Sequence, residues 1–317
     1  MEQKIIDYDK AHQKINDLKL KDTKPYVYGG FVSTFNENAE EPTMDEYEFE
    51  KFVAEDYNSQ EGDLHLKDGI TCEFCNNKGM ISRVNEDVCG EKIYYKAVHV
   101  NCPHCAKSRS NFWKIKSNYV GKDFSGKTSK DYVLTKRWQV PLKASMNDYL
   151  KTYINEPHKH WYGVFGTAGC GKTTLCGIIM NYLGIKQQKD IEIVYWGNFI
   201  NDVKRLIMAK DTTKASNLLY DIQNTEVLFI DEFLSDKVTE TDLEYAKEII
   251  NYRYNNDLIT IITSQKLFGE LVEINEPIFS RFYVKANNGK FVVDRPKETG
   301  VNMNYRFGNL GGENVHE

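Results

Sequence analysis

Residues 166–173 read Gly166-Thr167-Ala168-Gly169-Cys170-Gly171-Lys172-Thr173 and match the phosphate-loop pattern GxxxxGK[ST]. An apolar run at 161–165 precedes them and supplies the strand from which such a loop departs. Glycines let main-chain N–H groups close around phosphates, while Lys172 can reach the β- and γ-oxygens and Thr173 can offer a hydroxyl to Mg²⁺. The sequence therefore predicts a site for ATP and Mg²⁺ that extends into the first helical turn at Thr174.

A second element indicates hydrolysis as well as binding. Residues 227–230 are fully apolar and end in Asp231-Glu232. Carboxylates at the C-terminal end of a buried parallel strand face the ligand crevice. We expect Asp231 to hold Mg²⁺ through water and Glu232 to orient and polarise the water that attacks the γ-phosphate.

The residues between and after these elements alternate between helical and strand patterns. The helical patterns cover 173–183, closed by Gly184, and 199–208 and 243–254, and the strand patterns cover 191–196 and 258–262. Such alternation implies right-handed crossovers and a parallel sheet covered by helices on both sides. The predicted fold class is α/β, with a P-loop ATPase core in the C-terminal part.

Several blocks in this part resemble, in order and spacing, the replicative helicase loader family, the DnaC/DnaI type of AAA+ ATPase. The blocks are Asp231-Glu232, 248–254, 261–265, Glu270-Leu271 and Ser280-Arg281-Phe282. The resemblance covers roughly 160–290. It implies an AAA+ core in which Arg281 is an arginine finger that acts on ATP held by a neighbouring subunit, so the family also implies self-assembly with ATP.

The sequence departs from that family at one sensor position. Gln265 stands where family members usually have Asn, and its amide could still orient the attacking water from one methylene further out. Cys170 occupies a loop position that contributes only main chain, so no redox role is expected for it.

The N-terminal third carries a different signal, the pair Cys72-x-x-Cys75 and Cys102-x-x-Cys105. Two such thiolate knuckles close tetrahedrally on Zn²⁺ and leave no open position, which predicts a structural zinc site. A strand at 94–100 would lead into the second knuckle. Cys89 and His104 remain alternative candidates for one ligand, and buried or disulfide-bonded cysteines are the competing interpretation. No signal peptide is evident, so we expect a reducing, cytoplasmic compartment and no membrane association.

The charge distribution divides the chain further. Residues 36–63 hold eleven acidic side chains against Lys51, a net charge of −10, whereas 106–143 hold ten Lys and Arg against two Asp, a net of +8. Aromatic residues at 45–57 either pack the core of a small zinc domain or, as the resemblance implies, dock on a hexameric helicase. The basic segment either tracks DNA or is a solvated linker, and 198–221 is a better candidate for DNA contact.

The expected domains are a helicase-binding zinc domain at 1–110, a basic linker at 111–150 and an AAA+ ATPase domain at 151–317. With the resemblance, the sequence predicts an ATP-dependent loader that places a hexameric replicative helicase on single-stranded DNA. A transposition-associated ATPase and a zinc-dependent DNA-binding adaptor with a weak ATPase are the alternatives. The sequence leaves open whether the gene is chromosomal or phage-borne, which helicase is served and how many subunits assemble.

Overall fold

The computed structural model describes residues 24–28, 31–35, 46–89 and 92–295. These residues form two compact units. The first holds the described residues up to Lys67 together with Thr71–Ala106, and the second holds Asp68–Ile70 and the described residues from Lys107 onward. The division therefore falls a few residues before the expected boundary at 110.

The N-terminal unit is built from short helices and two hairpins. Its elements are β1 (Lys24–Tyr28), β2 (Phe31–Phe35), α1 (Glu46–Ser59), α2 (Leu64–Lys67), β3 (Met80–Cys89) and β4 (Lys92–Asn101). β3 and β4 pair antiparallel from Met80 opposite Asn101 to Cys89 opposite Lys92. The helix α1 packs on this hairpin, where the main-chain N–H of Ala97 donates to the Glu50 carboxylate at 2.5 Å.

The aromatic side chains of α1 face the hairpin of their own unit. Tyr47 meets Tyr95 edge-on with ring centroids 5.2 Å apart, and Tyr57 lies 4.1 Å from the ring of His99. This packing is what a helix completing a small core would show. Tyr47 nevertheless keeps 43% of its surface exposed, so the same face also offers an aromatic group to a partner.

A five-stranded parallel sheet forms the centre of the second unit. Its strands are β5 (Tyr162–Gly166), β6 (Ile191–Tyr195), β7 (Val227–Asp231), β8 (Ile259–Ser264) and β9 (Val292–Arg295). They lie in the order β6-β7-β8-β5-β9, and every pair in the sheet is parallel. β5, β7 and β8 are buried along their whole length, as their apolar runs require. The sheet confirms the predicted fold class and places the C-terminal ends of β5, β7 and β8 side by side.

Helices connect and cover these strands. They are α3 (Ala106–Ser117), α4 (Val140–Asn155), α5 (Lys172–Asn181), α6 (Trp196–Met208), α7 (Thr212–Asn224), α8 (Glu240–Asn255), α9 (Phe268–Ile274) and α10 (Glu276–Lys285). α8 begins with a reciprocal capping box between Thr239 and Asp242, which satisfies N–H groups of its first turn. No helix in the described part of the chain has the length and apolar character needed to cross a membrane.

Gly184 does not close α5 as expected. The chain continues through a π-helical turn, Tyr182–Lys186, in which Gly184 has no left-handed backbone conformation. A Cβ at this glycine would lie 3.0 Å from two side-chain carbons of Ile191, and the Gly184 carbonyl accepts a hydrogen bond from Asn111. Close packing, rather than a helix cap, therefore accounts for this glycine.

The segment 111–150, expected as a basic linker, is folded into the second unit. Phe124 is fully buried, and a Cβ added at Gly177 of α5 would come within 2.1 Å of its ring. Asn181 donates its side-chain amide to the carbonyls of Phe124 and Lys127 at 2.5 and 2.9 Å. Buried aromatic side chains of this segment, among them Phe112, Phe124 and Trp138, provide the apolar area that holds it to the sheet unit.

Candidate nucleotide site and metal centre

The phosphate loop follows β5 and depends on its glycines. Gly166, Gly169 and Gly171 have φ values of 104°, 77° and 85°, in the region that L side chains rarely adopt. A Cβ at Gly166 would also lie 2.2 Å from the carbonyl oxygen of Arg295 in β9. Glycine is therefore required here both for backbone conformation and for the close approach of the neighbouring strand.

Lys172 begins α5 and reaches back across the loop. It is 4% exposed, and its Nζ donates to the carbonyl oxygens of Gly166 and Thr167 at 2.8 and 3.0 Å. The ammonium is thus held among loop atoms beside the N-terminus of α5, where an anion would also be favoured. Thr173 follows in the first helical turn, with Thr174 half-buried after it.

Asp231, at the end of β7, lies next to the start of α5. Its Oδ1 accepts hydrogen bonds from the hydroxyls of Thr173 at 2.9 Å and Thr263 at 2.6 Å. Burial raises the pKa of the Asp231 carboxyl, and these two hydrogen bonds oppose that rise. A buried carboxylate beside the helix-start hydroxyl of a phosphate loop matches the donor set that Mg²⁺ takes with a nucleotide.

Glu232 turns sharply out of the strand. Its φ is 55°, and its main-chain N–H donates to Thr263 Oγ1 at 3.0 Å. One carboxylate oxygen, Oε2, is buried and has no hydrogen-bond partner among the described residues. A buried carboxylate oxygen that makes no internal hydrogen bond is suited to accept one from water or substrate.

Thr263 is a site residue that the sequence analysis missed. It is fully buried near the end of β8, where one hydroxyl serves both Asp231 and the Glu232 backbone, and its carbonyl accepts from Phe233 N at 2.7 Å. The available signal was a threonine directly after the apolar residues of a strand, because parallel neighbours end at the same edge of the sheet.

Two other predicted residues lie apart from this cluster. Gln265 is exposed, and its main-chain N–H donates to Ser235 Oγ at 3.0 Å. Arg281, on α10, donates to the Pro277 carbonyl at 2.6 Å and lies 5.9 Å from the centre of the Tyr254 ring. Its described contacts include none with the phosphate loop or with the carboxylate pair.

The two cysteines of the ATPase core are buried. Cys170 has no exposed surface, and burial raises the pKa of its thiol although Lys172 lowers it. Cys176 is likewise fully buried, and burial raises its thiol pKa well above the usual range. Both environments favour the neutral thiol over the reactive thiolate.

Cys72, Cys75, Cys102 and Cys105 converge in the N-terminal unit. Their Sγ atoms all lie within 4.8 Å of one another, and the Cys72–Cys102 and Cys75–Cys105 Sγ pairs are 3.8 Å apart. Tetrahedral coordination at a zinc–sulfur distance of about 2.3 Å requires sulfur atoms about 3.8 Å apart, whereas a disulfide needs about 2.05 Å. The cluster therefore fits a four-thiolate Zn²⁺ site and excludes disulfides among these four residues.

Of the two alternative ligands, His104 does not join this cluster. The ring of His104 stacks on Phe74 with centroids 3.9 Å apart and is not part of the converging set. The side chain of Cys89 lies outside the described residues. The main-chain N–H of Gly79 donates to Cys75 Sγ at 3.2 Å, an interaction that favours a thiolate.

The segment 198–221, favoured as a DNA contact, carries basic residues that are mostly ion-paired. Lys204 lies 2.6 Å from Asp242, Arg205 lies 2.9 Å from Asp202, and Lys214 lies 2.8 Å from Asp211. The last two pairs lie within one helix or at its N-cap and are largely exposed. Ion pairs of this kind contribute little free energy, so Arg205 and Lys214 could exchange their carboxylate partners for phosphates. Near Lys204, a cavity of about 260 Å³ lies between α6 and the start of α8 and is also lined by Lys237.

A glycine-rich loop between a buried parallel strand and a helix, with a carboxylate pair ending a second strand, defines a P-loop ATPase of the AAA+ class. Residues 151–287 match the family model for the bacterial DnaA ATPase domain. The similarity of this segment to the DnaA ATPase domain, and of about half the chain to a DnaI helicase loader, supports the resemblance to DnaC/DnaI-type AAA+ ATPases that the sequence motifs indicate.

Individual relatives are similar to about half of the chain. The chain is 26% identical over 168 residues to the uncharacterized protein YqaM of Bacillus subtilis (strain 168), and this alignment covers 51% of each chain. It is 23% identical over 151 residues to the replicative helicase loader DnaI of the same organism, and this alignment covers 47% of each chain. The chain thus spans about half the length of the curated relatives it matches.

Among solved structures, AMPPCP-bound DnaA from Aquifex aeolicus superposes with a TM-score of 0.43 at 17% identity. The match covers 56% of this chain and 51% of that one.

Proposed function

We propose that this chain hydrolyses ATP and uses the cycle to place a hexameric replicative helicase on single-stranded DNA. The observation that carries the proposal is the hydrogen-bonded chain from Thr173 through Asp231 and Thr263 to the main-chain N–H of Glu232, which joins the phosphate loop to the Asp231 carboxylate and to the backbone of Glu232. An intact arrangement of this kind argues against an adaptor with a degenerate ATPase core.

Each residue has a proposed role in the reaction. Lys172 holds the β- and γ-phosphate oxygens, with main-chain N–H groups of residues 166–174 around them. Thr173 and Asp231 hold Mg²⁺, which neutralises charge on the transferred phosphoryl group. Glu232 accepts a hydrogen bond from the attacking water and takes its proton through the buried Oε2. We assign Gln265, the residue after β8, to orient that water.

Arg281 is proposed to act on the site of a neighbouring subunit. Its guanidinium is half-buried on α10, held by the Pro277 carbonyl and the Tyr254 ring rather than by groups of its own nucleotide site. A cation placed this way completes a site only after subunits assemble, which would couple hydrolysis to assembly.

Mixing two inactive variants tests the finger. Glu232→Gln protein keeps Arg281 beside a dead site, and Arg281→Ala protein keeps a complete site without a finger. A mixed assembly should regain part of the hydrolysis that each variant lacks alone, measured as phosphate release per chain. A co-assembled mixture that stays inactive would show that Arg281 acts in its own subunit or has only a structural role.

The N-terminal unit is the proposed grip on the helicase. It carries the zinc cluster, and its described surface exposes apolar side chains near the hairpin tip, at Val88, Ile93 and Tyr94. Aromatic and aliphatic side chains of this kind are the usual anchors of protein interfaces. The similarity to DnaI, a replicative helicase loader, supports a helicase as the partner.

Single-stranded DNA is the proposed substrate of the loaded ring. The cavity between α6 and the start of α8 offers Lys204, Lys237 and Asn201 to a phosphate backbone. Lys204 already forms an ion pair with Asp242. Lys237 has fewer described interactions and is therefore the better candidate to contact a phosphate.

Co-purification tests the partner assignment. Full-length protein should retain a hexameric replicative helicase from its host when ATP is present, and Lys172→Ala protein should retain less because nucleotide binding is weakened. Cys72→Ser protein should lose the helicase in both conditions. Retention of the helicase by the Cys72→Ser protein would contradict the role given to the zinc unit.

A further inference from the structure

The side chain of Lys266, two residues after β8, lies among the main-chain carbonyls of the loop that follows Glu232. Its Nζ donates to the carbonyl oxygens of Leu234 at 2.9 Å and Asp236 at 3.0 Å, and it also donates to the carbonyl of Ser235. One ammonium group thus satisfies three consecutive carbonyls of one loop.

That loop has an uncommon backbone. Glu232 and Leu234 have φ values of 55° and 50°, both in the left-handed region that side chains other than glycine disfavour. Such conformations persist only where surrounding groups fix them. The three carbonyl oxygens point toward the Lys266 ammonium group, and Glu232 is the first residue of the loop that this ammonium group fixes.

The main chain around Lys266 also contacts the phosphate loop. The N–H of Gly166 donates to the Lys266 carbonyl at 3.1 Å. A second link lies nearby, because Ser235 Oγ lies 3.2 Å from Ser264 Oγ and accepts from Gln265 N at 3.0 Å. Residues 264–266 therefore connect the start of the phosphate loop with the exit from Glu232.

We propose that Lys266 is a positioning residue that fixes the direction of the Glu232 carboxylate and ties it to the phosphate loop. The inference rests on the proposed ATP hydrolysis. Lys266 acts through the main chain of the loop 232–236, to which its described side-chain hydrogen bonds run. Removal of its charge should therefore misplace the base while leaving the nucleotide cradle formed by Lys172 and Thr173 in place.

Lys266→Met tests this, with Lys266→Arg as the conservative variant and exposed Lys247→Met on α8 as the matched control. Lys266→Met should lower kcat roughly ten- to hundredfold while KM and the affinity for a fluorescent ATP analogue stay within about threefold. Lys266→Arg should recover most of the rate, and Lys247→Met should match the wild type. Normal nucleotide affinity also shows that the variant is folded.

A double variant separates positioning from general damage. If Lys266 acts through Glu232, Lys266→Met should slow the Glu232→Gln protein far less than it slows the wild type. A full additional loss in the double variant, or a parallel loss of rate and affinity without rescue by arginine, would overturn the proposal. So would a Lys266→Met protein as fast as the wild type.

The same series separates this inference from the proposed function. Wild-type protein without hydrolysis, or Glu232→Gln protein at the wild-type rate, would refute the ATPase assignment itself. A wild-type enzyme that needs Glu232 but not Lys266 would refute only the positioning role.

Discussion

Different interactions stabilise the two units of this protein. In the C-terminal unit, strands β5, β7 and β8 are buried end to end and are covered by helices, so apolar burial alone accounts for a stable core. In the described part of the N-terminal unit, the buried apolar side chains are Ala54, Leu64 and the four clustered cysteines. These described side chains form a small core, and a metal bound to the four cysteines would add folding energy to it.

The largest expected effect is on the N-terminal unit when metal is withdrawn. The full-length protein should contain about one equivalent of zinc, and a chelator or Cys72→Ser should abolish protection of the β3–β4 hairpin from hydrogen exchange. ATP hydrolysis by the other unit should persist, because its core contains no part of the cluster. Cys89→Ser is the control and should keep the metal. A metal-free protein with a protected hairpin would remove the contrast between the units.

A smaller effect is expected when the apolar core of the C-terminal unit is reduced. Phe124→Ala should lower the free energy of unfolding of that unit by about 3–5 kcal/mol, because a fully buried ring is lost. Trp113→Ala is the matched control in the same basic segment, with 54% of the side chain exposed, and should cost under about 1 kcal/mol. Urea denaturation followed by release of a fluorescent nucleotide measures both. Equal, small effects would mean that 111–150 behaves as a linker after all.

Sequence patterns predicted the C-terminal sheet well for a physical reason. Long apolar runs and glycine-rich loops act locally, so residues 161–165, 227–230 and 258–262 indicated β5, β7 and β8 to within two residues at each end. β9 was not predicted, because Val292–Arg295 is short and only half-buried and its pairing with β5 is a contact between distant parts of the sequence.

The nucleotide site, like the sheet, was predictable only where local sequence motifs define it. The phosphate loop and the Asp231-Glu232 pair follow from local motifs. Thr263 and Lys266 do not, because their roles arise only when β8 lies beside β7 and their side chains reach across to the neighbouring strand and loop. The roles of Arg281 and Gln265 remain predictions, since neither side chain has a described contact with the carboxylate pair.

The smallest expected effect concerns Thr263, which links the Asp231 carboxylate to the main-chain N–H of Glu232. Thr263→Val should lower kcat roughly tenfold to a hundredfold, because Asp231 and the Glu232 N–H each lose a buried hydrogen bond. Burial already raises the pKa of Asp231 and the Thr263 hydroxyl opposes this, so its loss should move the acid limb of the pH–rate profile to higher pH. Thr263→Ser keeps the hydroxyl and should restore both the rate and the profile. A Thr263→Val profile with an unshifted acid limb would contradict this role.

Loading of the helicase tests the central claim most directly. The protein would be mixed with its co-purifying hexameric helicase and closed circular single-stranded DNA, and the hexamers retained on DNA would be counted after a salt wash. The account predicts that wild-type protein with ATP leaves active hexamers on the DNA. Glu232→Gln protein should bind ATP within a few-fold of wild type but remain bound to the helicase, so that far fewer hexamers are retained on the DNA. Equal loading without ATP, or by the Glu232→Gln protein, would contradict it.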